Sequence, residues 1–110
     1  MKLKPKPFDL ISSGKKVIEL RLYDEKRRRI KLGDTILFSD TERGKSITAR
    51  VVELYRFDSF RELYEKIPLQ LCGYSAEELA TASYRDMEEY YSPEEQERYG
   101  VIGIKISLEA

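Results

Sequence analysis

The sequence predicts a small α+β domain, and three observations carry that prediction. Lys15 to Leu22, Thr35 to Ser39 and Ser46 to Phe57 have the alternation or the β-branched content of strands. Helical patterns follow, and a last alternating run comes after Gly100. Finally, 110 residues is the usual size of one domain, here taken as residues 1–110, and enough to bury a core without disulfide or metal. Helices grouped between the third strand and the last belong on one side or end of a small curved sheet or barrel.

Pro7 to Ser13 reads as a short helix, with Gly14 placed to cap its end. In the first strand Ile18, Leu20 and Leu22 point one way, and Val17, Glu19 and Arg21 the other. Asp24 to Arg29 is charged and solvated. Leu32-Gly33-Asp34 turns into the second strand, Thr35 to Ser39. Asp40 to Gly44 is the loop into the third, Ser46 to Phe57, whose alternation shifts around Val51-Val52 as at a bulge. Ser59 and Glu62 form a capping box ahead of an apolar stripe at Phe60, Leu63, Tyr64 and Ile67. Pro68 to Gly73 ends that helix. Ser75 and Glu78 open a longer one, running to about Tyr90, with Ala76, Leu79, Ala80, Tyr84, Met87 and Tyr91 as its buried stripe. Ser92 and Glu95 box a short helical turn. Ile102, Ile104, Ile106 and Leu108 then share one face of the last strand.

Composition narrows the chemistry. Hydrophobic residues at 41% and charged residues at 36% describe a globular chain, not a disordered one. A single cysteine, Cys72, makes no internal disulfide, which predicts a reducing, cytoplasmic setting. With no histidine, the common zinc sites and the Ser-His and Cys-His nucleophile pairs are excluded. No metal or cofactor is expected. Acid–base work would fall to Glu, Asp, Lys, Tyr or Cys. No apolar run approaches the ~20 residues of a membrane span. Residues 1–50 carry 14 Lys/Arg against 7 Asp/Glu, and residues 51–110 carry 6 against 13. Such an imbalance either steers an anion such as RNA to one side or is cancelled where the halves meet.

Glu19 and Arg21 are two apart on one strand and therefore face the same way. Lys16 has the opposite parity, but it precedes the regular part of the strand, and its long stem can swing around the edge. Together the three would make a polar site with two anion-binding donors and one carboxylate. On residue chemistry alone, Glu-x-Arg on a strand reads first as an ordinary solvated pair.

The segment Gly14-Lys15-Lys16-Val17-Ile18-Glu19-Leu20-Arg21 resembles the Gly-x-Lys-x-x-Glu-x-Arg signature of the ASCH family, matched at Gly14, Lys16, Glu19 and Arg21. Lys31 to Phe38 resembles the family's second strand around Gly33-Asp34, and Arg98 to Ile104 its last strand. The three segments span nearly the whole chain in the family's order. The resemblance implies a PUA-like β-barrel of about five to six strands, helices inserted before the last strand, and a cleft lined by the motif residues. It further implies RNA or a nucleotide or nucleoside as ligand. A branch of similar fold hydrolyses the amide of acetylcytidine. Its lysine falls on Lys16, its threonine nucleophile on Glu19, and its glutamate has no counterpart around Leu71-Cys72-Gly73-Tyr74, so that activity is not carried over.

Other residues extend the candidate site. Lys26-Arg27-Arg28-Arg29 is the densest basic run. Arg27 and Arg28 are expected to touch phosphates, the alternative being a solvated loop. Tyr99, just before the last strand, is the tyrosine best placed to meet a base. Cys72 has no histidine to activate it and reads as a buried thiol. Two functions follow. One is an RNA- or nucleotide-binding module using Lys16, Glu19, Arg21, Arg27, Arg28 and Tyr99. The other is a small hydrolase of a modified nucleoside or an RNA phosphodiester, with Glu19 as base and Lys16 as electrostatic stabiliser. Neither the ligand's identity nor the oligomeric state is legible in the sequence.

Overall fold

A computed structural model describes residues 1–109. Five strands form one sheet in the order β1-β3-β4-β5-β2, where β1 is Lys2–Leu3, β2 Ile18–Leu22, β3 Thr35–Asp40, β4 Ser46–Phe57 and β5 Val101–Leu108. β1 runs parallel to β3, and every other pairing is antiparallel. β1 and β2 are the two edges, yet the Arg21 guanidinium on β2 donates to the Lys2 carbonyl on β1 across 3.3 Å. The sheet is therefore curled into a half-barrel whose edges nearly meet. Between Val51 and Glu53 the β4–β5 register shifts, which is the bulge expected there and one source of the curl.

Curling creates two apolar clusters, one on each face of the sheet. Inside the curl, Phe38, Val51, Ile102, Ile104 and Ile106 pack with Phe8 and Ile11 of helix α1 (Pro5–Ser12). On the outer side, Ile18, Leu20, Leu22 and Val101 pack against Phe60 and Leu63 of α3 (Phe60–Lys66). Here α2 is the single turn Glu25–Arg28 and α4 is Pro93–Tyr99. The alternation of β2 is thus sorted as expected, Ile18, Leu20 and Leu22 going to the outer cluster. Leu108 was expected on the apolar face of β5 but is exposed, because it stands at the strand's end past the packed residues.

Local signals account for most boundaries. Pro5 starts α1 two residues earlier than expected, and β1 is too short to show an alternation. Ser59 Oγ accepts from the Glu62 N–H at the start of α3, and Ser92 and Glu95 form a reciprocal box on α4. The long helix expected from Ser75 to Tyr90 is not formed. Its opening box is present, with Ser75 and Glu78 bonded in both directions. However, Ser83 opens a second box with Asp86 before the first can propagate. The result is two 3-10 segments, Glu78–Ala80 and Tyr84–Glu89, and the stripe residues Ala76 and Ala80 are exposed.

The β3–β4 loop is clasped to α1. Buried Asp40 accepts from the backbone N–H groups of Glu42 and Arg43 and from the Arg43 guanidinium, which also reaches Asp9 at 2.7 Å.

Gly100 makes the turn from α4 into β5 at φ +72 and ψ −175, a region open only to glycine. A Cβ there would lie 3.1 Å from the Phe57 carbonyl oxygen. Gly100→Ala is accordingly expected to cost about 1–3 kcal/mol, read as a lower urea midpoint with an unchanged slope.

Candidate ligand-binding cleft

The regular part of β2 begins at Ile18, and the residues before it are held by other partners. Lys16 N–H donates to the Leu10 carbonyl at the end of α1 (2.9 Å), Val17 N–H donates to Leu71, and Lys16 bridges Cys72. This detour releases Lys16 from strand parity. Its Nζ lies 2.8 Å from Glu19 Oε1. Arg21 comes from the other direction, with Nη2 3.0 Å and Nε 3.3 Å from Glu19 Oε2. The Leu20 N–H adds a fourth donor, 3.2 Å from Oε1. Lys16, Glu19 and Arg21 therefore converge, although two of them are on one strand face and the third precedes the strand.

Glu19 is 3% exposed, and it stands opposite Ile104 of β5 in the strand register, at the lip of the inner core. Burial alone would raise its pKa. The charges of Lys16 and Arg21, with their hydrogen bonds, outweigh that and hold the carboxyl below its ordinary range. Burial likewise opposes the Arg21 cation, but Glu19 and the nearby Tyr91 hydroxyl raise its pKa. The result is an ionised triad carrying one net positive charge. Both Glu19 oxygens are engaged, whereas Arg21 Nη1 and two of the three Lys16 protons have no partner in these bonds.

A cleft of about 390 Å³ opens onto the triad. Its walls are Tyr64, Tyr74, Tyr90, Tyr91 and Met87 on one side, and Lys2, Lys4 and Pro7 on the other. Tyr64, Tyr74 and Asp86 are joined in series, with O–O distances of 2.8 Å and 2.7 Å, which anchors the 3-10 wall to α3. Burial, first among its causes, pushes the Tyr64 hydroxyl up to about 12, and Tyr74 is raised as well. Both rings enter the cleft as neutral phenols. Tyr91 stacks on Phe60, ring centroids 6.0 Å apart. Cys72 lies beside the triad, its thiol pushed up to about 11, mainly by burial.

A family model, the ASCH domain, matches residues 1–109. The chain belongs to the ASCH domain family. This ASCH domain is similar to hypothetical protein PH0355, a crystal structure with 37% identity and a TM-score of 0.81, over 99% of this chain and 96% of that one. It is also similar to the solution structure of protein PF0455 from Pyrococcus furiosus, at 40% identity and TM-score 0.68, covering 98% and 94%. The ASCH protein of Zymomonas mobilis shares the PUA-like fold at 21% identity and TM-score 0.63, and the chain covers 64% of its length. No curated protein matches the chain in sequence.

The other candidates lie away from this cleft. Arg27 is turned onto Asp24, its Nη1 2.8 Å from Oδ2, with the Asp24 side chain also capping α2. Arg28 folds back onto Tyr23, bonding its carbonyl at 3.0 Å and covering its ring at 4.6 Å. Tyr99 faces a second groove. Sequence reasoning missed Tyr64 and Tyr74. Tyr64 sits on the apolar stripe of α3 and reads as core. Only its hydroxyl, which a buried tyrosine must satisfy, hinted at a polar neighbour. Among the described residues no helix is long and apolar enough to cross a membrane.

Because Glu19 and Asp40 both have lowered pKa values, their stabilisation is complete above the ordinary carboxylate range. It is lost as the pH falls through the lowered values, when each must take up a proton that the fold resists. Urea midpoints are expected to hold level near pH 7 and to drop steeply towards about pH 3. The drop should be visibly shallower in Glu19→Gln.

Proposed function

We propose that this ASCH domain binds RNA or a nucleotide in the tyrosine-walled cleft, with Lys16 and Arg21 as the recognising groups. The observation that carries this reading is the buried, ionised Glu19 holding both cations at the cleft floor. Glu19 spends its acceptor capacity on these two cations and the Leu20 N–H, so it orients donors and does not itself contact the ligand. The ligand must then present acceptors, such as a phosphate or the carbonyl edge of a base. Phenol faces on the wall suit the base itself. A nucleotide unites the two chemistries.

Hydrolysis with Glu19 as general base draws no support from this geometry. A carboxylate held below its usual pKa, with both oxygens occupied, is a weak proton acceptor.

The test is a titration of labelled single-stranded RNA and of nucleoside monophosphates at low and moderate salt. Wild type should bind, and Arg21→Ala should weaken binding by about 10–100-fold, as expected for charged hydrogen bonds. Lys16→Met should act similarly. The reading fails if nothing binds at low salt, or if Arg21→Ala keeps wild-type affinity while its circular dichroism is unchanged.

A further inference from the structure

We infer that a second groove, between α2 and α4, holds the phosphodiester backbone of a single-stranded nucleic acid whose base or terminal nucleotide occupies the cleft. The inference rests on the nucleotide-binding reading of the cleft and extends it.

The four-cation run is divided by the fold. Arg27 is consumed by Asp24, and Arg28 by Tyr23. Lys26 and Arg29 are exposed, and both line a separate groove of about 460 Å³. Arg98 and Tyr99, some seventy residues further along the chain, complete it. Among the described residues, Lys26, Arg29 and Arg98 form no salt bridge. Two carboxylates share the groove, but Asp24 is neutralised by Arg27, leaving Glu25 against three cations. Unpaired cations gathered from distant segments fit a repeating anion better than a structural role, for which opposite charge would be supplied from the chain.

Two features favour nucleic acid over a plain polyanion. Arg98 already lies over the Tyr99 ring, 5.1 Å from its centroid, a cation–aromatic pair of the kind on which bases stack. The groove is also close to the cleft along the chain. Only two residues separate Arg21 from Asp24, roughly 10 Å of extended chain. The Tyr23 N–H donates to the Gly100 carbonyl at 3.0 Å, fixing α2 beside the end of α4. A strand anchored at Arg21 would reach Lys26 within a few nucleotides.

The experiment compares a nucleoside monophosphate with a single-stranded RNA of about ten nucleotides, within the usual range of site sizes. Each is titrated against wild type, Arg21→Ala, Tyr99→Leu and the triple variant Lys26→Ala/Arg29→Ala/Arg98→Ala. The substituted cations are exposed, so the triple variant should fold, and circular dichroism checks this. Expected are an unchanged mononucleotide affinity in the triple variant, a decamer affinity at least tenfold weaker, and a slope of log K against log salt shallower by about 2, the value for three contacts on a single strand. Tyr99→Leu should weaken the decamer roughly tenfold with little change in slope. Wild-type decamer affinity and slope in the triple variant would overturn the proposal. So would inorganic polyphosphate that competes with the decamer equally well in wild type and Tyr99→Leu. If Arg21→Ala leaves decamer binding intact while the triple variant loses it, the cleft reading falls and the groove stands.

Discussion

Glu19→Ala is expected to lower the free energy of unfolding by about 3–5 kcal/mol, among the largest losses from any single substitution in this chain. The reason is not the lost attraction alone. Removing the carboxylate leaves Lys16 and Arg21, whose side chains are only 13% and 16% exposed, as uncompensated charges at the lip of the inner core. At about 4–8 °C per kcal/mol for a domain near this size, the melting temperature should fall by more than 10 °C. Replacing the whole triad tells stability and function apart. Glu19→Leu combined with Lys16→Met and Arg21→Met removes every charge together, and such exchanges are often neutral or stabilising. That variant should melt close to wild type yet bind no nucleotide. A triple variant as unstable as Glu19→Ala would show that the Arg21–Lys2 link across the sheet edges, not charge compensation, is what the triad supplies.

Phe60→Ala is expected to cost a similar amount, about 3–5 kcal/mol, for a different reason. Phe60 is fully buried between α3 and the outer face of the sheet, and truncation leaves a cavity that the surrounding strands cannot close. Its ring also supports Tyr91, which lines the same cleft as Arg21. Ligand affinity should therefore fall along with stability. Phe60→Leu refills most of the volume and should recover most of the stability while lacking the flat face against Tyr91. A denaturation midpoint near wild type with weakened binding in Phe60→Leu would locate the ring's role in the cleft wall. Full recovery of both would confine Phe60 to packing.

Legibility along the chain followed the range of the interactions involved. β4 begins and ends where its β-branched run does, and its bulge lies where the alternation slips, because strand parity is a property of neighbouring residues. The boxes at Ser75 and Ser92 form for the same reason, each being closed within four residues. Helix length was less legible. The expected helix from Ser75 failed because capping at Ser83 competed with propagation, and because the Tyr74–Asp86 hydrogen bond rewards a chain folded back on itself.

By itself, the sequence determined that Glu19 and Arg21 share a face, that Ile18, Leu20 and Leu22 share the other, and that this strand carries the family's signature. Tertiary structure alone decided the rest of the site. It brought Lys16 across to Glu19 through the Lys16 N–H bond to Leu10 and the Val17 N–H bond to Leu71, and it assembled the tyrosine wall from α3, the turn after Gly73 and the 3-10 segments. It also paired Arg27 with Asp24 and laid Arg28 on Tyr23 while leaving Lys26 and Arg29 beside Arg98. The physical reason is one of distance along the chain. Periodicity reports which way a side chain points from its own backbone, whereas a cleft is made of side chains whose neighbours lie far away in sequence and meet only when the sheet curls.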